Sequence, residues 1–239
     1  MIQFYAPDLE RTLMLPPDES AHCVRVLRKR EGDMITVTDG MGFRYECEIT
    51  AASQKGVSVS VVSRQLILPH WGVNITLAVA PTKNMDRMEW LVEKAVEIGV
   101  DRIVLLLCEH SERRVVKPER LIRIAVSAMK QSLKTLLPEV TEMIRLDEFL
   151  ASAPVGIRMM GYCDHILPRR ELVSEYTANN DAVIMIGPEG DFSPDEVKRA
   201  MDAGFIPVTM GESRLRTETA ALFGIEAIHI INRLARLGN

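Results

Sequence analysis

The sequence predicts an α/β protein in which a small antiparallel β-domain precedes a parallel sheet covered by helices. Two observations carry this reading. Between Asp33 and Val62 short β-rich runs alternate with turn residues, and beyond Val73 continuous apolar strands alternate with helical periodicity. Strands that are apolar on both faces belong in a parallel sheet with helices on either side.

The elements follow in order. Residues 34–38, 45–49 and 57–62 read as strands, separated by turn signals at Asp39-Gly40, Gly42 and Lys55-Gly56. Residues 65–72, with Pro69, His70 and Trp71, break the pattern and read as a linker, which places domains at 1–68 and 69–239. Strands are then expected at 73–80, 103–108, 157–162, 182–186 and 205–210. A helix over about 85–96 carries Met88, Leu91, Val92, Ala95 and Val96 at three- and four-residue spacing, and Gly99 stands where a left-handed C-terminal cap is expected. A second helix opens at Pro118, and residues 220–237 form a long amphipathic helix that either closes the fold or meets another subunit.

Composition narrows the function. With 47% hydrophobic residues in 239, the chain can bury a substantial core. No basic, apolar leader and no membrane-length apolar run is evident, and the four cysteines are scattered singly, which suggests a reduced cytoplasm rather than a disulfide framework. His22, His70, His110, His165 and His229 lack metal-ligand spacing, so no metal is assigned. The net charge of −4 gives no general polyanion affinity, but Arg25, Arg28, Lys29 and Arg30 form one local basic cluster, and residues from Arg113 and Arg114 to Lys134 form another.

Two segments concentrate polar chemistry. The strand 182–186 runs into Gly187-Pro188-Glu189-Gly190-Asp191-Phe192, and Ser193, Pro194 and Glu196 then spell a capping box with proline at the first helical position. Glycines flanking a proline at the carboxyl end of a parallel strand allow close approach of a ligand, although a plain strand-to-helix turn is equally compatible with the spacing. The strand 205–210 leads likewise into Gly211-Glu212-Ser213-Arg214-Leu215-Arg216-Thr217-Glu218-Thr219, more polar than a connection requires. Thr217 or Thr219 is alternatively a helix cap, and the two loops come together if their strands are neighbours. There is no P-loop and no dinucleotide-binding glycine motif, and the glycines at 40 and 42 belong to a hairpin.

Residues 186–193 with Glu196, and residues 210–221, resemble the two signature loops of the RsmE family of 16S ribosomal RNA uridine-N3 methyltransferases, within the SPOUT superfamily. Three further stretches are similar to that family: His22 with residues 26–28 and 32–33, residues 93–100, and Gln131-Ser132 with Leu137-Pro138. Asp191 stands where the family usually has a third glycine, Met210 replaces a common leucine, and Lys134 a usual arginine.

The resemblance implies a PUA-like β-barrel followed by an α/β domain with a deep trefoil knot, working as a homodimer on 16S ribosomal RNA or the small ribosomal subunit. It implies S-adenosylmethionine as cofactor, held by Gly187, Pro188, Glu189, Gly190, Met210, Gly211, Leu215, Arg216, Thr219 and Ala220. Methylation of uridine N3 would use Glu218 for the proton and Arg216 for the developing negative charge, with Arg25, Arg28, Lys29, Arg113, Arg114 and Lys134 gripping RNA. The alternative is a non-catalytic RNA-binding ribosome-assembly factor of the same fold.

Overall fold

The computed structural model describes residues 2–53, 55–163 and 168–238, so that His165 lies outside the described residues. The chain divides into two compact units, one of residues up to His70 together with Val126–Leu137, the other of Trp71–Ala125 with the residues from Pro138 onward. Sequence periodicity puts 126–137 in the second domain. In the structure this stretch packs with the first, through Gln3 Nε2 donating to Lys134 O at 2.7 Å and Arg44 Nη2 donating to Leu133 O at 2.8 Å.

The first unit holds β1 (Gln3–Tyr5), α1 (Leu9–Thr12), α2 (Pro17–Ala21), a π-helical turn (His22–Val26), β2 (Met34–Thr38), β3 (Phe43–Ser53) and β4 (Gly56–Leu66). Its sheet has the order β1-β2-β3-β4, with β1 parallel to β2 and the other pairs antiparallel. Ile35 and Val37, then Tyr45, Cys47 and Ile49, then Val57 and Val59 all point into one core, as a period of two requires. At the β2–β3 turn Asp39 Oδ1 accepts from the amides of Met41 and Phe43, and Gly40 and Gly42 take positive φ, so that segment is a hairpin as read. The short helices before β2 carry too few periodic residues to be read from sequence.

The second unit holds β5 (Ile75–Val79), α3 (Met85–Ile98), β6 (Arg102–Leu107), α4 (Pro118–Gln131, which runs on into the first unit), β7 (Glu139–Arg145), α5 (Leu146–Ser152), β8 (Ile157–Gly161), β9 (Arg170–Glu171), α6 (Leu172–Glu175), β10 (Ala182–Ile186), α7 (Pro194–Asp202), β11 (Ile206–Thr209) and α8 (Thr217–Leu237). Its strands form one sheet in the order β7-β6-β5-β10-β8-β11-β9, every pair parallel. Alternate residues of β10 serve opposite faces: Val183 and Met185 join Phe149, Val197 and Phe205, while Ile184 lies against Gly224 of α8, where a Cβ would come within 3.0 Å of it. The sheet is therefore covered on both sides, as its apolar strands demand.

α3 is capped by Asn84, whose side chain accepts from Asp86 N. Gly99 has φ 131 and ψ 113, extended backbone of positive φ rather than the left-handed cap that sequence suggests. A Cβ there would lie 2.8 Å from the Trp71 ring, and His229 Nε2 sits 2.8 Å from Gly99 O, so packing sets this glycine.

Candidate functional site

The capping box of α7 forms as expected, with Ser193 accepting from Glu196 N and Glu196 accepting from Ser193 N. Glu196 also accepts from Glu109 N at 2.8 Å, tying the start of α7 to the segment after β6. With α7 anchored, the turn between β10 and α7 is held from several directions. Asp191 N donates to Pro188 O at 2.9 Å, closing a tight turn. Lys83 N donates to Glu189 Oε1 at 2.9 Å, and His110 Nδ1 lies within 3.1 Å of the carbonyls of Gly190 and Asp191.

Asp191, the departure from the family's third glycine, adopts φ 63. Aspartate tolerates this left-handed conformation better than most residues when its side chain bonds locally. Here one carboxylate oxygen accepts from Phe192 N at 2.9 Å and the other from Cys163 N at 3.0 Å, linking the turn to the end of β8.

The loop after β11 is held differently. Gly211 has φ 92, and Thr209 Oγ1 donates to Gly211 O at 3.0 Å. Among the described residues, no hydrogen bond or ion pair engages the guanidinium groups of Arg214 and Arg216. Arg216 is the N-cap of α8 without a side-chain cap bond, so neither threonine caps the helix: Thr217 Oγ1 instead donates to Gly187 O at 3.3 Å, and Thr219 is exposed.

These loops meet, although not through neighbouring strands. β8 lies between β10 and β11, and the parallel arrangement brings all three carboxyl ends to one edge. They enclose a cavity of about 960 Å³ walled by Gly161, Gly187, Pro188, Glu189, Met210, Gly211, Leu215, Arg216, Glu218 and Ala220 among others. Gly190 and Thr219 lie outside this wall, Gly190 against His110, where a Cβ would come within 3.1 Å. The walls are tight at the glycines: a Cβ on Gly161 would sit 2.8 Å from Ile186 Cδ1, and one on Gly187 3.0 Å from the Phe192 ring.

Glu218 is 7% exposed, and its carboxylate oxygen lies 3.7 Å from Arg87 Nε on α3. A buried carboxylate requires such a partner. Nothing in the sequence marks Arg87 apart from its position in the polar first turn of the helix following β5. Of the basic residues assigned to RNA, Arg25, Arg28 and Arg114 are exposed, Arg28 at φ 54. Lys29 is half-buried with Nζ 3.3 Å from Met34 O, and Lys134 is half-buried. Arg113 donates to Lys83 O at 2.7 Å and so braces the loop that holds Glu189, a structural engagement the sequence did not indicate.

A doubly covered parallel sheet with a charged, glycine-lined cavity at its carboxyl edge defines an α/β protein with a small-molecule-sized site where such sheets hold their ligands. Residues 69–229 match the family model of the RNA methyltransferase domain, and residues 15–62 that of the RNA methyltransferase PUA domain. The chain is 47% identical to a probable rRNA-methyltransferase of known structure from Porphyromonas gingivalis, covering 99% of this chain and 100% of that one with a TM-score of 0.94. It is 29% identical to a ribosomal RNA small subunit methyltransferase E from Neisseria gonorrhoeae solved with S-adenosyl methionine, covering 97% and 98% of the two chains with a TM-score of 0.80. It is also 26% identical to the ribosomal RNA small subunit methyltransferase E of Bacillus subtilis, over 94% of this chain and 92% of that one. The chain belongs to the RNA methyltransferase family, with a PUA-like N-terminal domain and a parallel-sheet methyltransferase domain.

Proposed function

We propose that this protein methylates N3 of one uridine in 16S ribosomal RNA, using S-adenosylmethionine. The observation that carries the reading is the convergence of both glycine-containing loops on one cavity, with Arg216 and Glu218 of the α8 start in its wall, in a member of the RNA methyltransferase family. The cavity fits the cofactor: its volume of about 960 Å³ lies in the range of small-molecule sites, and Gly161 and Gly187 are packed too closely against Ile186 and Phe192 to carry side chains, which keeps the wall in shape. Gly187, Pro188, Glu189, Met210, Gly211, Leu215, Arg216 and Ala220 would hold it. Gly190 and Thr219 stand outside that wall. S-adenosylmethionine supplies, when bound, a methyl group on a sulfonium centre.

The chain's own residues then have distinct tasks. Glu218 accepts the N3 proton of the uracil, so that the nitrogen lone pair is available for in-line attack, and Arg216 offsets the negative charge that spreads to the base oxygens. Arg87 holds the Glu218 carboxylate in place. Arg25, Arg28 and Lys29 in the first unit, with Lys134, and Arg114 in the second bind RNA phosphates, and Arg113 contributes less because it braces Lys83. The reading further includes domains at 1–68 and 69–239, a first unit closed as a PUA-like barrel, a C-terminal trefoil knot, a homodimer and cytoplasmic residence. Calorimetry with S-adenosylmethionine separates the enzyme from a non-catalytic assembly factor. Mass spectrometry of ribosomal RNA from cells lacking the gene is expected to show one methylated uridine lost, and unchanged rRNA methylation would overturn the assignment.

A further inference from the structure

Beside the large cavity lies a second hollow of about 400 Å³, walled by Asp86, Arg87, Trp90, Arg216, Glu218 and Thr219. Arg87, Arg216 and Glu218 belong to both, so the two compartments meet at the Arg87–Glu218 pair. Asp86 and Trp90 stand four residues apart on α3 and therefore on one face of it, with Arg216, Glu218 and Thr219 supplied by the first turn of α8. Trp90 is 46% exposed, whereas the chain's other tryptophan, Trp71, is 5% exposed and bonded to Asp101. An indole left in solvent, flanked by two arginines and a buried carboxylate, offers what a base turned out of its stack requires: a flat apolar platform with charged groups at its edge.

We propose that the hollow is the subsite of the acceptor base, a pyrimidine that stacks on the indole of Trp90 and directs its hydrogen-bonding edge to Glu218 and Arg216. Trp90 is thereby a positioning and specificity residue. A stacked ring is confined to a plane, and the edge of that plane is what the shared wall presents to the larger cavity. Thr219, which lines this hollow and not the larger one, faces the base rather than the cofactor. This inference rests on the proposed methyltransferase reading.

The test compares wild type with Trp90→Ala, Trp90→Leu and Trp90→Phe on two RNAs. One carries the acceptor uridine as mapped by wild-type methylation, and the other carries an abasic nucleotide in its place. Dissociation constants are measured with S-adenosylhomocysteine present. Trp90→Ala should weaken binding of the uridine RNA about tenfold and leave the abasic RNA within about twofold, since stacking on an aromatic ring is lost only where a base exists. Trp90→Phe should restore most of the loss and Trp90→Leu little of it, while affinity for S-adenosylmethionine stays unchanged in all three. Equal weakening of both RNAs, equivalence of Leu and Phe, or an altered oligomeric mass that tracks the RNA defect would overturn the subsite and make Trp90 a contact between copies. Trp90→Phe, which keeps an aromatic ring at the position, guards against a variant that merely misfolds. If wild type neither binds S-adenosylmethionine nor methylates RNA, the functional reading falls and the subsite with it. If wild type methylates a uridine and Trp90→Ala binds RNA normally, the subsite alone falls.

Discussion

The turn after β10 and the loop after β11 face one cavity but are held in opposite ways. In the first, the carboxylates of Glu189 and Asp191 accept from backbone amides, those of Lys83, Phe192 and Cys163, and His110 fastens its carbonyls. In the second, residues 211–214 and 216 are exposed, and the fixed point is Thr217, which bonds to Gly187 O of the first loop. The difference teaches a division of labour. The first loop spends its polar side chains on its own shape and leaves backbone for a ligand, whereas the second rests on that shape and presents its arginines outward. Under the proposed function, chemistry would belong to the second loop and precision of fit to the first.

The sharpest challenge to this division is Glu218→Gln, which keeps shape and removes the proton acceptor. We expect a fall in single-turnover methyl transfer of roughly 10²- to 10⁴-fold with cofactor affinity unchanged. Near-normal transfer would deny the residue its role as base. Next in size, Gly187→Ala drives a Cβ into the Phe192 ring, and calorimetry should show S-adenosylmethionine affinity reduced about tenfold or more, with about 1–3 kcal/mol of stability lost. Unimpaired affinity would mean the first loop is not the template described.

In the first unit, replacing Arg25 and Arg28 by alanine should flatten the dependence of log affinity on log salt by about 0.7–0.9 per phosphate contact removed. An unaltered slope places RNA elsewhere. Smaller still is the effect at Asp191. Asp191→Ala should cost about 1–2 kcal/mol in chemical denaturation, because it keeps the left-handed strain and loses both amide contacts, while Asp191→Gly should cost less by relieving the strain. Equal stability of the two variants would mean that backbone strain plays no part there.

Away from the site, burial raises the Asp101 carboxyl above its ordinary value, against the lowering effect of its bonds from Ile75 N and Trp71 Nε1. A raised folded-state value means that the folded protein holds the proton more tightly. The contribution is therefore fully present below pH 3.8 and is lost as pH rises through the raised value. Asp101→Asn should remove this fall, seen as a difference in denaturation midpoints across that window.

Much of this was legible from local patterns. The capping box at Ser193, the hairpin at Asp39, five of the seven strands of the parallel sheet and the glycine-bearing turns all follow from residues a few positions apart, where sequence spacing maps directly onto geometry. β7, in which no residue is fully buried and burial does not alternate, and the two-residue β9 carry too little periodic signal. Gly99 shows the limit of a local rule, since its conformation is set by Trp71 and His229, which are distant in sequence. Local residue patterns suffice for the α/β class and the two polar loops and, through resemblance, for the family. Only the tertiary structure placed β8 between the strands that carry those loops, paired Glu218 with Arg87, turned Glu189, Asp191 and Arg113 into braces, and set Trp90 beside the cavity. Each of these depends on which strands and helices become neighbours, and the order of a parallel sheet is fixed by long crossover connections and packing, which no local spacing records.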